Sequence, residues 1–456
     1  MKRILLLLGV GLFLNISCSA PLKVSQKSDQ QILNELTESL HTGILSVWYP
    51  STIDSIYGGF LSDFDYQWKM KGQQNKMIVT QSRHIWTCSE VAEFYPEKKE
   101  YYLKIARHGV LFLKDKMWDS KNGGFFNLVD REGNVLSSGK NDRIMKDAYG
   151  NAFAMYGLSA YSRVSGDTAA LSLAKKTFQW LDQHSYDPQF GGYFQFLEAD
   201  GTPLKSGYEG TPPKDQNSSI HLLEALTELY RIWPEPVVKE RLLMMLALVR
   251  DQITNPKGYL QLFLNPDISP VSYRDSAEEV RKEHWQLDHI SYGHDVETAY
   301  LMLEASEIAG LQNDTVTLRK AKLMVDHALQ SGWDEAVGGF YDAGYYFKDQ
   351  DTVTIIKDTK NWWAQAEGLN SLLMMSELFP DDLHQYKSLF LKEWEYINTY
   401  LIDHEHGDWI SGGSDKEPEA KLAMKAQIWK GNYHTSRSLM NCIKRLKDIA
   451  GSNMDK

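Results

Sequence analysis

Two kinds of helical pattern alternate along the chain. The first kind is amphipathic and carries much charge; it covers 31–48, 99–117, 169–184, 237–253, 318–333 and 385–402. The second covers 84–95, 147–164, 218–232, 294–308, 362–378 and 432–449, with apolar residues at helical spacing on a wide face. In 294–308, Val296, Tyr300, Leu303 and Ile308 share a face that Ala299, Leu301 and Met302 broaden. The second set is also richer in small residues, as in Ala148, Gly150, Ala152, Ala154, Gly157 and Ala160. Packing on both sides needs small residues, so the second set is expected inside and the first outside.

A recurring turn joins each outer helix to the next inner one. Asp54 leads to Gly58-Gly59-Phe60, Asp119 to Gly123-Gly124-Phe125, Asp187 to Gly191-Gly192-Tyr193 and Asp334 to Gly338-Gly339-Phe340. Degenerate copies run from Asn255 to Gly258-Tyr259 and from Asp403 to Gly407-Asp408-Trp409. Such a period marks one supersecondary unit used repeatedly. Six helix pairs predict an all-α fold, an (α/α)6 barrel of twelve helices. Short β-like runs after each turn, such as Phe125 to Val129 before Asp130-Arg131-Glu132-Gly133-Asn134, read as β-hairpins. All inner helices then start at one end, among the hairpins, and that end is the expected active-site mouth.

Composition narrows the function. The chain has 456 residues and a net charge of −11, with no basic stripe, which argues against nucleic acid as a partner. Its 13 Trp and 24 Tyr suit a cleft where sugar faces stack on rings, although most of them belong to the core. Lys2 and Arg3 precede an apolar run from Ile4 to Leu14 that is too short to span a bilayer, followed by Asn15-Ile16-Ser17-Cys18. This reads as a lipoprotein-type signal over 1–18, lipidated at Cys18, with a tether over 19–29 and one barrel domain over 30–456. The protein is then exported, to the periplasm or the outer membrane, and touches membrane only through that anchor. Cleavage after Ala20, giving a soluble secreted protein, is the alternative. Cys88 and Cys442 fall in inner helices and are expected as buried thiols. A monomer is expected.

Polar residues gather at the starts of the inner helices. Arg83 and His84 open the first, Lys146, Asp147 and Tyr149 the second, and Asn217 and His221 the third. His294 and Glu297 open the fourth after Asp288, His289 and Tyr292; Trp362 and Trp363 open the fifth; Trp429, Lys430, Tyr433 and His434 open the sixth. His221, His294 and His434 thus read as equivalent positions of one ring. Neither His-Glu-x-x-His nor paired-cysteine spacing is present, so no metal and no cofactor are expected. Imidazole is suited to proton transfer near neutral pH. The positive end of each inner helix keeps a nearby ring neutral and, with Arg83, stabilises a developing oxyanion. Proton abstraction next to a carbonyl fits that set.

The segments Asn217-Ser218-Ser219-Ile220-His221-Leu222-Leu223-Glu224-Ala225, Gly293-His294-Asp295-Val296-Glu297, Trp362-Trp363-Ala364-Gln365-Ala366-Glu367 and Trp429 to Arg437 resemble the N-acylglucosamine 2-epimerase superfamily. Gln81-Ser82-Arg83-His84-Ile85-Trp86, and Ser291-Tyr292-Gly293 in place of His-Pro-Gly, make the chain most similar to its cellobiose 2-epimerase branch. The resemblance implies interconversion of reducing-end glucose and mannose units of a disaccharide or oligosaccharide, through a cis-enediolate at C2. It implies His294 and His434 as the exchanging acid–base pair, with His221 assisting ring opening. It further implies that Arg83 holds the intermediate's oxygens, Glu297 orients His294, Tyr149 and Asn217 bind hydroxyls, and Trp363 and Trp429 stack on sugar rings. Members of that branch are typically cytoplasmic, so the export signal bears on which sugar is met.

Two other functions fit an (α/α)6 ring. A glycoside hydrolase needs two carboxylates flanking a scissile bond, and Asp142, Asp147, Asp215, Asp288 and Asp295 fall at the mouth. A surface glycan-binding lipoprotein without turnover needs only the aromatic residues.

Overall fold

The computed structural model describes residues 27–137 and 143–454. The signal and anchor reading, with Cys18 and Ala20, lies outside the described residues, as does Asp142. Lys27 pairs with Glu35 and Glu395, and Ser28 caps the first helix, so the fold begins slightly ahead of residue 30.

The outer helices are α1 (Asp29–Glu38), α3 (Lys99–Phe112), α5 (Thr168–His184), α7 (Pro236–Leu248), α10 (Thr315–Gly332) and α12 (Tyr386–Tyr400). The inner ones are α2 (Ile78–Phe94), α4 (Ala148–Ser165), α6 (Gln216–Ile232), α9 (Tyr292–Ile308), α11 (Trp362–Leu378) and α13 (Tyr433–Met454). Each inner helix packs on the next, and α13 returns to α2, which closes the expected barrel. Tight packing is enforced at Gly157, where a Cβ would come within 2.7 Å of the Ser82 carbonyl on the neighbouring inner helix. Cys88 and Cys442 are buried free thiols, as expected. Among the described residues a further helix, α8 (Glu278–His284), is an insertion before α9 and accounts for the longest interval between turns.

Five of the six recurring turns are each held by one buried lysine. Lys76, Lys146, Lys214 and Lys360 stand two residues before an inner helix and reach back to Asp54, Asp119, Asp187 and Asp334 at 2.7–2.9 Å. Each ammonium also donates to the first glycine carbonyl of the turn, Gly58, Gly123, Gly191 or Gly338. Lys425 does the same for Asp403 and Gly407. Buried charges are tolerated when paired and hydrogen-bonded in this way. Lys146 therefore serves the turn rather than the mouth, contrary to the sequence reading. The glycines permit the turn itself: Gly124 has φ +70°, and a Cβ there would meet the Trp180 ring at 2.7 Å.

The strands do more than form local hairpins. β1 (Lys76–Met77) pairs with β2 (Leu128–Val129), β3 (Met145–Asp147) with β4 (Phe196–Glu198), and β5 (Lys214–Asp215) with β6 (Phe263–Leu264), all antiparallel. In each pair the second strand belongs to the following repeat, so the sheets staple neighbours together around the mouth. β7 (Ile290–Ser291), β8 (Ala343–Tyr345) and β9 (Thr354–Lys357) form a three-stranded version.

Candidate active site

The inner helices are registered by side chains that grip the turns. Gln81, Asn151, Asp295 and Gln365 each accept from the backbone N–H of the aromatic or leucine residue that closes a turn: Phe60, Phe125, Leu260 and Phe340. Two residues further on stand Arg83, Phe153, Glu297 and Glu367, and His221 and Arg437 take the same step on α6 and α13. This is the middle layer of the barrel. One turn nearer the mouth stand Tyr149, Asn217, His294, Trp363 and His434.

Arg83, Tyr149, Asn217, His221, His294, Glu297, Trp363, Trp429 and His434 line one cavity of about 210 Å³, with Trp362. The structure thus brings together the nine side chains to which the family resemblance gave roles. At roughly 30 Å³ per water the space matches about seven waters, the scale of one sugar ring. Trp429 stands at its edge, 53% exposed.

Depth corrects part of the sequence reading. His294 and His434 occupy the outer layer, but His221 lies a turn deeper and is not their equivalent. Arg83 is also deeper than expected, because α2 begins at Ile78. His84 leaves the site: it stacks on Phe60 and bonds the Tyr49 hydroxyl at 2.9 Å.

Every candidate histidine has its Nδ1 engaged. His221 Nδ1 lies 2.9 Å from Glu224 Oε2, His294 Nδ1 2.7 Å from Ser291 Oγ, and His434 Nδ1 2.7 Å from Glu367 Oε1. Nε2 remains for a ligand in each ring. Trp363 packs against both outer histidines, with centroids 4.7 Å from His294 and 5.6 Å from His434. Arg83 donates to the Tyr149 hydroxyl at 3.1 Å and lies over the Phe153 ring.

Beneath these rings Arg437 organises three carboxylates. Its Nη2 donates to Glu297 at 2.5 Å and to Glu367 at 2.6 Å; its Nη1 donates to Glu224 and to the Tyr433 hydroxyl, which also donates to Glu224. Glu297 therefore does not orient His294, as the sequence suggested; it binds Arg437, with Oε1 3.8 Å from His434 Nδ1. Glu224, Glu367, Arg437 and Ser291 received no role from sequence. The His-x-x-Glu spacing of His221–Glu224 signalled one of them, since residues three apart share a helical face.

Electrostatics follow from burial and this network. Burial pushes the His294 imidazole down to about 3, aided by His221, His289, His434 and Arg83. Burial likewise pushes His434 well below the usual imidazole range, against the pull of Glu297. Burial would raise Glu224, yet Arg437, His221 and Tyr433 hold it down at about 2. Burial raises Glu367, and Arg437 offsets part of that rise. Glu297, Glu367 and His434 bring ligand atoms within 4.8 Å of one another, a spacing a cation could use. The Arg437 guanidinium already donates to both carboxylates, so the positive charge there is supplied by the chain.

The mouth aspartates are spent elsewhere. Asp147 and Asp215 cap α4 and α6 by accepting from Gly150 and Ser218 N–H groups. Asp288 accepts from the Tyr273 N–H and the Tyr345 hydroxyl, and Asp295 grips Leu260. Among the described residues they do not form a facing pair across the cavity.

The described residues thus form a closed (α/α)6 barrel around one small chamber of histidines, tryptophans and an arginine. The sequence profile of N-acylglucosamine 2-epimerase (GlcNAc 2-epimerase) matches residues 58–437, and the chain belongs to that family. It is 26% identical to the cellobiose 2-epimerase of Bacteroides fragilis over 92% of this chain and 99% of that one. It is 28% identical to that of Ruminococcus albus, over 92% and 100%. The solved cellobiose 2-epimerase of Spirochaeta thermophila superposes with a TM-score of 0.77 at 29% identity, covering 92% of this chain and 98% of that one. The chain is accordingly an isomerase, a sugar epimerase.

Proposed function

We propose that this epimerase inverts C2 at the reducing end of a disaccharide or short oligosaccharide, interconverting glucose and mannose units as the cellobiose 2-epimerases it resembles do in name. The observation that carries the reading is the convergence of two Nδ1-anchored imidazoles, His294 and His434, across the Trp363 ring in one buried chamber. One ring removes the C2 proton of the opened aldose and the other returns a proton to the opposite face. The intermediate is a cis-enediolate whose oxygens Arg83 faces. His221, backed by Glu224, serves ring opening from the deeper layer. Tyr149, Asn217 and Glu297 bind hydroxyls. Trp363 stacks on the reacting ring, and the exposed Trp429 stacks on the next sugar at the mouth.

Depressed imidazole basicity supports this role. Base catalysis needs a neutral ring, and His294 at about 3 stays neutral through the whole physiological range. The enzyme acts outside the cytoplasm, carried by a leader that is cleaved ahead of Cys18 and held by lipid on that residue.

The test is incubation with cellobiose, mannobiose and mannose in deuterated buffer, followed by NMR. An epimer of equal mass with deuterium at C2 is expected. Release of two smaller sugars would instead support a hydrolase, and binding without C2 exchange a lectin-like role. His294→Ala and His434→Ala are each expected to lower kcat by at least ~10², the usual contribution of a positioned acid or base, with the circular dichroism of the barrel unchanged. Near-normal turnover in either variant would remove these two residues from the chemistry.

A further inference from the structure

The residue just before an inner helix can accept the helix's first free N–H groups. Asp147 does so for α4 and Asp215 for α6. Ser291 stands in that place before α9, and serine is as good a cap as aspartate. Its side chain makes no cap bond. The buried hydroxyl lies 2.7 Å from His294 Nδ1 instead.

The partner of the other outer histidine is of a different kind. Glu367 is a carboxylate, so when ionised it can only accept, which places the proton on His434 Nδ1 and favours the imidazolium form. A hydroxyl can also accept from an imidazole N–H, but it brings no charge to favour the cation.

We propose that Ser291 is a positioning residue for the epimerisation: it holds His294 in the Nδ1–H tautomer with Nε2 facing the substrate, and it brings that ring no charge where Glu367 sets a carboxylate beside His434. This rests on the reading of His294 and His434 as the proton-exchanging pair. In the direction in which His294 is the base, turnover starts with one proton on the pair, at His434 Nε2. From that state His294 Nε2 takes the C2 proton, the C2–H electron pair enters the enediolate, and His434 Nε2–H delivers its proton to the opposite face of C2. One C–H bond breaks and one forms, and the proton shared by the pair has moved to His294. The reset is proton exchange with water. The charged and titratable groups that face His294 are His221, His289, His434 and Arg83, and all of them oppose its protonation. The carboxylate of Glu297, on the same helix, is held by Arg437.

The ring nitrogens report the bond directly. In protein labelled with 15N-histidine, long-range NMR of the side chains should show His294 as a single Nδ1–H tautomer, with its signal assigned by its loss in His294→Gln. Ser291→Ala should give a mixture of tautomers, and Ser291→Thr should restore the single form. On a sugar the wild type converts, Ser291→Ala should lower kcat about tenfold or more with KM nearly unchanged, and Ser291→Thr should recover most of it. Ser291→Asp should move the acid limb of kcat/KM to higher pH, because it gives His294 the charge it lacks. An unchanged tautomer and unchanged kcat in Ser291→Ala would overturn the proposal. If His294→Ala abolishes turnover at the same time, the two-histidine reading stands without it. If His294→Ala remains active, that reading falls first, and the NMR spectrum still decides whether Ser291 orders the ring.

Discussion

Five of the six recurring turns carry a buried lysine–aspartate pin, and the fourth carries none. There Asn255 stands where the others have aspartate, and Ile290 stands where Lys76, Lys146, Lys214 and Lys360 stand. Both partners are absent together. A buried ion pair replaced as a unit by neutral groups costs little, whereas one partner left alone is an uncompensated charge. The unpinned repeat is also the one with the inserted α8, the three-stranded sheet and His294. There β9 adds a third strand and Asp288 ties the insertion to β8 through Tyr345. The comparison separates two ways of holding an inner-helix start: by a saturated ammonium, or by extra sheet that leaves the residue before α9 free for chemistry.

Breaking one half of a pin should have the largest effect. Lys214→Met leaves the Asp187 carboxylate buried without its partner, and a loss of about 3–5 kcal/mol is expected. The double change Lys214→Ile with Asp187→Asn copies the fourth repeat and should recover much of that loss. Urea unfolding of the two variants and of Asp187→Asn alone completes a double-mutant cycle. A double variant no more stable than the worse single would mean that the pin is not a unit. The reverse graft sharpens the point. Ile290→Lys should destabilise by at least ~2 kcal/mol, and adding Asn255→Asp should repair part of it.

Acidification should distinguish the two kinds of repeat next. The unfolded chain protonates histidine near 6.5, while His294 in the fold resists until about 3. Below pH 6.5 the unfolded state therefore binds the extra proton, and stability falls as pH falls toward 3. At pH 5 this is about 2 kcal/mol for a single such group at ~1.4 kcal/mol per pH unit. The pins behave otherwise. Lysine contacts, working against burial, lower Asp119 and Asp187 below 3.8, so their contribution is present above that value and is lost only in stronger acid. Denaturation midpoints of His294→Ala should consequently fall less than those of wild type between pH 7 and 5. The Lys146→Ile, Asp119→Asn double variant should keep the wild-type slope. Equal slopes in His294→Ala and wild type would show that burial does not hold this ring neutral.

The same contrast explains what the sequence disclosed. The glycine turns were visible because their φ values demand glycine, and the helix faces because small residues mark close packing. Seven of the site side chains were visible because they are polar residues where an inner helix should be apolar, and Trp363 and Trp429 through the motifs that carry the resemblance. Depth was not. α2 starts at Ile78 after Met77, without a capping side chain, so Arg83 and His84 seemed to open it. The pins were hidden because each lysine lies 22–27 residues from its aspartate, and a lysine in a polar loop is ordinarily solvated. Arg437 and Glu367 sit on different helices, and Ser291 stands where a serine ordinarily caps a helix. Their roles are contacts that no local pattern encodes.

The smallest effect concerns that cap. Asp147→Ala and Asp215→Ala each remove a carboxylate that accepts the first N–H groups of an inner helix, and each should cost about 1 kcal/mol. Ser291→Ala alone also strands the buried His294 Nδ1–H, so the cap is read in the His294→Ala background, where that bond is already gone. There Ser291→Ala removes a side chain that caps nothing, and its thermal midpoint should lie close to that of His294→Ala, a change within roughly 0.5 kcal/mol. Differential scanning calorimetry of these variants reads this directly. A serine whose worth to stability vanishes with His294 is what a residue diverted from capping to histidine positioning should look like. If Ser291→Ala in that background instead loses as much stability as Asp147→Ala, then the hydroxyl caps α9 in solution, and the fourth repeat is held at its start in the same manner as the second and third.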